Sequence, residues 1–302
     1  MNYKIPILFN IFNRPDVTLK VFEEIKKIKP DSLYISADGP RDKVGEKELC
    51  EKTRSIVNNI DWNCKVKYNF SEKNLGCHLR METAISWFFK SEEMGIILED
   101  DCLPNSSFFK FTEDLLLKYK DNVKIMMISG DNFQDGKIYG DYSYYFSHYP
   151  NIWGWATWKR VWDKFDKNLL DLDSFINKNG IKILNNKEQE KYWLKFFLGL
   201  KKNKYNNWDA KFVYTVLNDE GLCIVPNKNL VTNIGFGKDA THTKEIKKDL
   251  IIDRYNIDNL IYNDILLPEY KADKYLFDKL YKVSFFDKLK YKIRIFIEKI
   301  KK

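Results

Sequence analysis

Between Lys4 and Ser129, short apolar runs alternate with segments whose apolar residues recur at helical spacing. Lys4–Phe12, Leu33–Ala37, Lys65–Phe70, Gly95–Leu98 and Val123–Ser129 read as strands. Between them, Val17, Val21, Phe22, Ile25 and Ile28 share one helical face, and a polar helix is expected around Glu46–Ile60. A third helix runs through Ala84, Ile85, Phe88 and Phe89. A fourth spans Ser107–Tyr119, with Asn105 or Ser106 as its N-cap. This order predicts an α/β fold, a mostly parallel sheet with helices on both faces. In such sheets ligands bind outside the carboxyl ends of the strands, near a topological switch point. Here those ends read Asn10–Arg14, Asp38-Gly39, Glu99–Asp101 and Ser129–Asn132.

The run Gly95–Leu98 ends in Glu99-Asp100-Asp101, and Pro104 is expected to stop the strand. Three adjacent carboxylates repel one another and need a cation or partner. Divalent Mg²⁺ or Mn²⁺ takes hard oxygen ligands and is often held by one or two carboxylates plus substrate phosphates. A solvated acidic turn is the plain alternative. The position at a strand end, with Leu103, Phe108 and Phe109 behind it, favours the metal.

Other candidates are individually open. Asp38 beside Gly39 could accept hydrogen bonds from a base or ribose, or simply form an Asp-Gly-Pro turn. Arg14 could bind phosphate bidentately or serve only at a helix entry. Asp209, beside Trp208, could be a general base or an N-cap. Gly235-Phe236-Gly237-Lys238 could be a lid whose backbone N–H groups and Lys238 meet phosphate. It lacks Walker spacing, and GxGxxG is absent. The three histidines have no zinc-type spacing.

The net charge of +8 resembles a nucleic-acid signal until it is located. Residues 282–302 hold eight Lys or Arg against two acids, so the body is nearly neutral and no nucleic-acid partner is expected. Within Tyr281–Lys302, Phe285, Phe286, Leu289, Ile293, Phe296, Ile297 and Ile300 lie at helical spacing opposite lysines. This predicts an interfacial helix at an anionic membrane, with packing onto the body or a partner subunit, or a strand, as rivals. Five cysteines form no CxxC pair, and no signal-peptide pattern opens the chain. These features predict free thiols, a reducing cytosol and peripheral attachment to the inner face of the membrane.

Taken in order, the landmarks resemble a known family. They are Ile11-Phe12-Asn13-Arg14, Ser36-Ala37-Asp38-Gly39, Asn74-Leu75-Gly76, Ile97-Leu98-Glu99-Asp100-Asp101 with Pro104 and Phe108-Phe109, and Ile128-Ser129-Gly130-Asp131-Asn132. Trp153-Gly154-Trp155, Trp208-Asp209 and Gly235-Phe236-Gly237-Lys238 complete the set. From about Ile5 to His242 the chain is similar to nucleotide-sugar glycosyltransferases of the type A (GT-A) fold, such as N-acetylglucosaminyltransferase I and related bacterial sugar transferases. The resemblance implies a single Rossmann-like sheet. It also implies that Asp101 ligates Mn²⁺ or Mg²⁺, Asp100 contacts ribose, Glu99 the donor sugar, Asp38 the base and Arg14 the diphosphate. Gly237 and Lys238 belong to a loop that orders over the donor, and Asp209 is the catalytic base. Trp155 and Trp208 are the acceptor-side candidates.

The expected activity is metal-dependent, inverting transfer of a hexosyl or N-acetylhexosaminyl group from a nucleotide-diphosphate sugar. The acceptor is expected to be a glycan or lipid-linked glycan in bacterial surface polysaccharide synthesis. The expected organisation is a donor-binding half at 1–130, an acceptor-binding half at 131–270 and a basic amphipathic segment at 271–302. Two alternatives stand beside it: a sugar nucleotidyltransferase, against which the glycine-free Lys4–Asp16 argues, and an inactive sugar-binding module of the same fold.

Overall fold

A computed structural model describes residues 3–236 and 250–282. Its centre is an eight-stranded mixed sheet in the order β3-β2-β1-β4-β8-β6-β9-β7. The strands are β1 (Ile7–Ile11), β2 (Ser32–Ala37), β3 (Lys65–Phe70), β4 (Met94–Glu99), β6 (Ile125–Ser129), β7 (Tyr144–Ser147), β8 (Trp155–Trp158) and β9 (Leu222–Pro226). A separate two-stranded ribbon pairs β5 (Cys102–Pro104) with β10 (Val231–Asn233). The helices are α1 (Pro15–Ile28), α2 (Glu46–Ile56), α3 (Cys77–Phe88), α4 (Ser106–Lys118), α5 (Lys159–Trp162), α6 (Leu172–Asn177), α7 (Lys187–Lys201), α8 (Trp208–Asn218) and α9 (Tyr270–Leu280).

Local sequence explains the elements that position the site. β1, β2 and β4 are almost wholly buried, so they appear in the sequence as continuous apolar runs rather than alternating ones. Pro15 opens α1, where its missing N–H costs nothing, and Val21, Phe22 and Ile25 bury its inner face. The Asn105 side chain caps α4 by accepting from Phe108 N at 3.0 Å. Gly95 is required inside β4, because a Cβ there would lie 2.3 Å from the Phe88 ring.

The strands β3, β2, β1 and β4 run parallel. The chain adds β2 and β3 on one side of β1, then returns to place β4 on the other, creating a switch point between β1 and β4. The register sets Asn10 beside both Ser36 and Glu99, so the three carboxyl ends are level. Beyond β4 the sheet becomes mixed. β8 lies antiparallel between β4 and β6, β6 is parallel to β9, and β7 is antiparallel to β9. Residues on either side of position 130 therefore share one sheet.

Pro104 ends a strand, but that strand is the short β5 rather than β4, which stops at Glu99. Pro104 lies opposite Val231, on a ribbon edge where a missing N–H is tolerated. A second core lies among α6 to α9 and includes the rings of Phe175, Trp193, Phe197, Tyr214 and Phe277. Asp273 anchors α9 to β7, accepting from Ser147 Oγ at 2.6 Å and from His148 N at 3.2 Å, with His148 Nδ1 at 3.0 Å. Residues 270–280 thus pack on the body. The basic residues beyond Lys282, and the amphipathic pattern with them, lie outside the described residues. All five cysteines are free thiols. Among the described residues no helix is long and apolar enough to cross a membrane.

Candidate functional site

The level ends of β1, β2 and β4 open onto a cavity of about 460 Å³. Arg14, Asp38, Glu99, Asp100, Asp101, Trp208 and Asp209 all line it. They arrive from four places in the fold: the β1–α1 turn, the end of β2, the β4–β5 turn and the first turn of α8. Gly76, Cys77 and His78 contribute the start of α3.

The acidic turn has a cation of its own. Arg14 sends one guanidinium nitrogen to Asp100 Oδ1 and the other to Asp101 Oδ2, the latter at 2.9 Å. The Phe12 N–H donates to Asp100 Oδ2 at 3.1 Å. Asp100 is therefore a structural anchor between β1 and β4, buried and fully engaged, whereas Asp101 keeps more of its surface open to the cleft. Burial raises the Asp100 carboxyl above its ordinary range, opposed by the Arg14 charge. Burial also raises Glu99, assisted by the negative charges of Asp101 and Asp100. One arginine leaves excess negative charge at this strand end.

Asp38 is oriented by its own loop. Its carboxylate accepts from the backbone N–H groups of Gly39, Leu75 and Gly76 and from Asn74 Nδ2, at 2.9–3.2 Å. Gly39 is needed beside it, since a Cβ would fall 2.5 Å from the Lys73 carbonyl carbon. Asp38 thus ties the end of β2 to the entry of α3. Asp38→Ala leaves several buried donors unsatisfied and is expected to cost about 2–3 kcal/mol. Chemical denaturation measures this; an unchanged midpoint and slope would remove Asp38 as a structural clamp.

Asp209 is the second residue of α8, after Asn207 and Trp208. It does not cap the helix. Its Oδ1 is buried and finds no hydrogen-bond partner among the described residues. Lys211, two residues on, pairs with Glu82 of α3 at 3.0 Å, both side chains being about seven-eighths buried, and also reaches Asn206 Oδ1 at 3.1 Å. This pair ties the middle of α3 to the first half of α8. Lys211→Met is expected to cost roughly 1–3 kcal/mol, between the values for exposed and fully buried pairs. The charge-swapped Glu82→Lys/Lys211→Glu double variant should recover part of that loss in thermal unfolding. No recovery would mean that Lys211 acts by packing alone.

The two tryptophans expected at the acceptor side separate. Trp208 stacks on Trp155 with centroids 6.0 Å apart and reaches the cleft. Trp155 does not: it is fully buried in β8 and belongs to the core. That corrects its expected place at the acceptor side, and the physical reason is its position in a central strand covered on both faces. Two residues earlier, in the loop before β8, Trp153 does line the cleft. It lies edge-on to Phe133 and Phe236, with centroids 5.0 and 5.9 Å away. Gly154 lets this loop turn with φ of 68° where a Cβ would meet Val231 at 2.9 Å. Gly237 and Lys238 lie outside the described residues.

Sequence reading also missed Arg80, which lines the cleft while almost wholly buried, donating to Ser36 Oγ and to Asn69. It sits on the inner face of α3 with Met81 and Ala84, and its charge conceals it among surface-type residues.

A divalent ion can be tested against this donor set. Among the described residues no group of three or more His, Cys, Asp or Glu side chains encloses a metal position. Magnesium-type ions need fewer protein ligands, since phosphates and water complete the shell. Asp101, partly open to the cleft, fits that simpler requirement.

No family model matches the chain, and no curated protein matches it. Solved structures give a distant likeness. S. aureus TarS 1-349 aligns at 11% identity with a TM-score of 0.40, over 76% of this chain and 59% of that one. An apo UDP-glucose pyrophosphorylase aligns at 11% identity and 0.39, over 75% and 93%. The mannosyltransferase PcManGT from Pyrobaculum calidifontis, solved with GDP-Man and Mn²⁺, aligns at 8% identity and 0.35, over 54% and 47%. These likenesses carry no assignment, which rests on the site itself.

Proposed function

We propose that the chain is a glycosyltransferase that moves a sugar from a nucleotide-diphosphate donor to a hydroxyl acceptor with inversion at the anomeric carbon. The observation that carries this reading is the convergence of Arg14, Glu99, Asp100 and Asp101 at the carboxyl ends of parallel strands, with Asp209 facing them from α8. The first group suits a metal-bearing diphosphate and the last suits a base acting on the acceptor.

Asp101 would hold the divalent ion, with Glu99 beside it. When bound, that ion supplies charge stabilisation for the departing diphosphate. Arg14 adds a cation on the same side. Asp209 takes the proton from the acceptor hydroxyl as the oxygen attacks the anomeric carbon opposite the leaving nucleoside diphosphate. Asp38 shapes the base end of the cleft through the loop it organises. Trp208 forms part of the acceptor wall. The segment from Gly235 through Lys238, which begins against Asp101, closes over the donor and excludes water that would hydrolyse it. A glycan or lipid-linked glycan acceptor in surface polysaccharide synthesis accords with a basic, amphipathic C-terminal segment that attaches peripherally to the cytoplasmic face of a membrane.

The test is a panel of nucleotide sugars with Mn²⁺, read by thermal shift and by release of nucleoside diphosphate. Stabilisation by one class of donor, with slow metal-dependent hydrolysis, is expected. Pyrophosphate release from a nucleoside triphosphate and a sugar phosphate, with no donor hydrolysis, would instead make it a nucleotidyltransferase.

A further inference from the structure

We propose that Arg14 is a resident counter-ion that occupies Asp101 until a metal–nucleotide diphosphate displaces it, so that metal and nucleotide enter the cleft together. This deepens the donor-site reading above and takes its ligand class from it.

The two guanidinium contacts are unequal in surroundings. The Asp100 end is the more buried, and that carboxylate also accepts from Phe12 N. The Asp101 end lies nearer the cleft, at 2.9 Å. An incoming cation at Asp101 repels the whole guanidinium, most strongly at the nearer nitrogen, while the more buried Asp100 carboxylate continues to hold the other. The guanidinium therefore has a pivot at Asp100 and a releasable arm at Asp101. Once released, that arm faces the cleft, where a diphosphate offers replacement acceptors. A metal ion alone displaces the arm without offering any. Nucleotide alone leaves Asp101 without a counter-charge. Each ligand thus raises the affinity of the other, and by linkage the factor is the same in both directions.

The chain packs against this ion pair from the other side. Ile234 N donates to Asp101 O at 2.8 Å. A Cβ on Gly235 would lie 2.0 Å from Asp101 Oδ2 and 2.6 Å from Arg14 Nη1. The backbone leading to Gly237 and Lys238 therefore rests directly on the exchangeable contact. Releasing Arg14 from Asp101 alters the surface on which that backbone sits.

The experiment titrates Mn²⁺ into the full chain and follows free Mn²⁺ by electron paramagnetic resonance, alone and with UDP or GDP. Arg14→Gln is expected to bind Mn²⁺ without nucleotide at least about tenfold more tightly than the parent chain, because the competing charge is gone. Arg14→Lys should fall between them, since an ammonium cannot span both carboxylates as the guanidinium fork does. It also serves if the Gln variant folds poorly, as judged by thermal unfolding. Adding Asp101→Asn to either variant should abolish the gain. Metal affinity no higher in Arg14→Gln or Arg14→Lys than in the parent overturns the proposal, as does a gain that survives Asp101→Asn. The donor-site reading fails separately, if neither nucleotide changes Mn²⁺ affinity in the parent chain. The nucleotide-free comparison still decides whether Arg14 and metal compete.

Discussion

Asp209→Asn is expected to lower sugar transfer roughly 10²–10⁴-fold, the usual contribution of a positioned general base. Donor binding should be unchanged. Asparagine keeps the shape of the side chain at the second position of α8, so the helix and its Trp208 neighbour have no reason to move. It cannot accept the acceptor's proton. The charge removed lies across the cleft from the Arg14 pair, whose partners are Asp100 and Asp101. Thermal stabilisation by donor should therefore match the parent while nucleoside diphosphate release in the presence of acceptor collapses. Normal turnover would remove Asp209 as the base.

Asp101→Ala should have an effect of similar size by a different route. It deletes the carboxylate most available to a divalent ion and leaves Arg14 with Asp100 alone. Transfer is expected to fall about 10²–10³-fold, as when one charge-stabilising group is lost from a transition state. Donor binding should fall with it, unlike in Asp209→Asn. Stabilisation by nucleotide with Mn²⁺ should shrink towards that seen with nucleotide in EDTA. Full activity of this variant in EDTA would sink the metal assignment. Asp100→Ala is a useful contrast: it strips partners from both Arg14 and Phe12 N and should reduce stability in the absence of any ligand.

β1, β2 and β4 are legible as continuous apolar runs because they are buried, whereas the largely exposed β3 is marked by Val66, Tyr68 and Phe70 at alternate positions. Lys65–Phe70 was read with the boundaries it has, and β1, β2 and β4 within a few residues. The short antiparallel strands escaped notice. β7 and β8 have four residues each, too few to establish a period, and complete burial removes any alternation. Nothing local reveals that Cys102–Pro104 is a separate strand, because its partner β10 lies over a hundred residues later. Site residues divide the same way. Residues at strand ends could be named from position alone, but their partners could not. Asp38 meets donors at Leu75 and Gly76, and Arg14, expected to meet phosphate, is paired with Asp100 and Asp101. Trp153 and Trp155 are two positions apart and of one type. Only the start of β8 decides which of them faces the cleft.

The placement of β8 between β4 and β6 has a mechanical consequence. A strand from the later part of the chain is stitched by backbone hydrogen bonds into the strand that carries the acidic turn. The two halves cannot swing apart like jaws without tearing a continuous ladder. Motion during a catalytic cycle is thereby confined to segments that overhang the sheet, while the carboxylates keep their spacing. Such a frame lets the overhanging segments vary while the acidic end keeps its geometry.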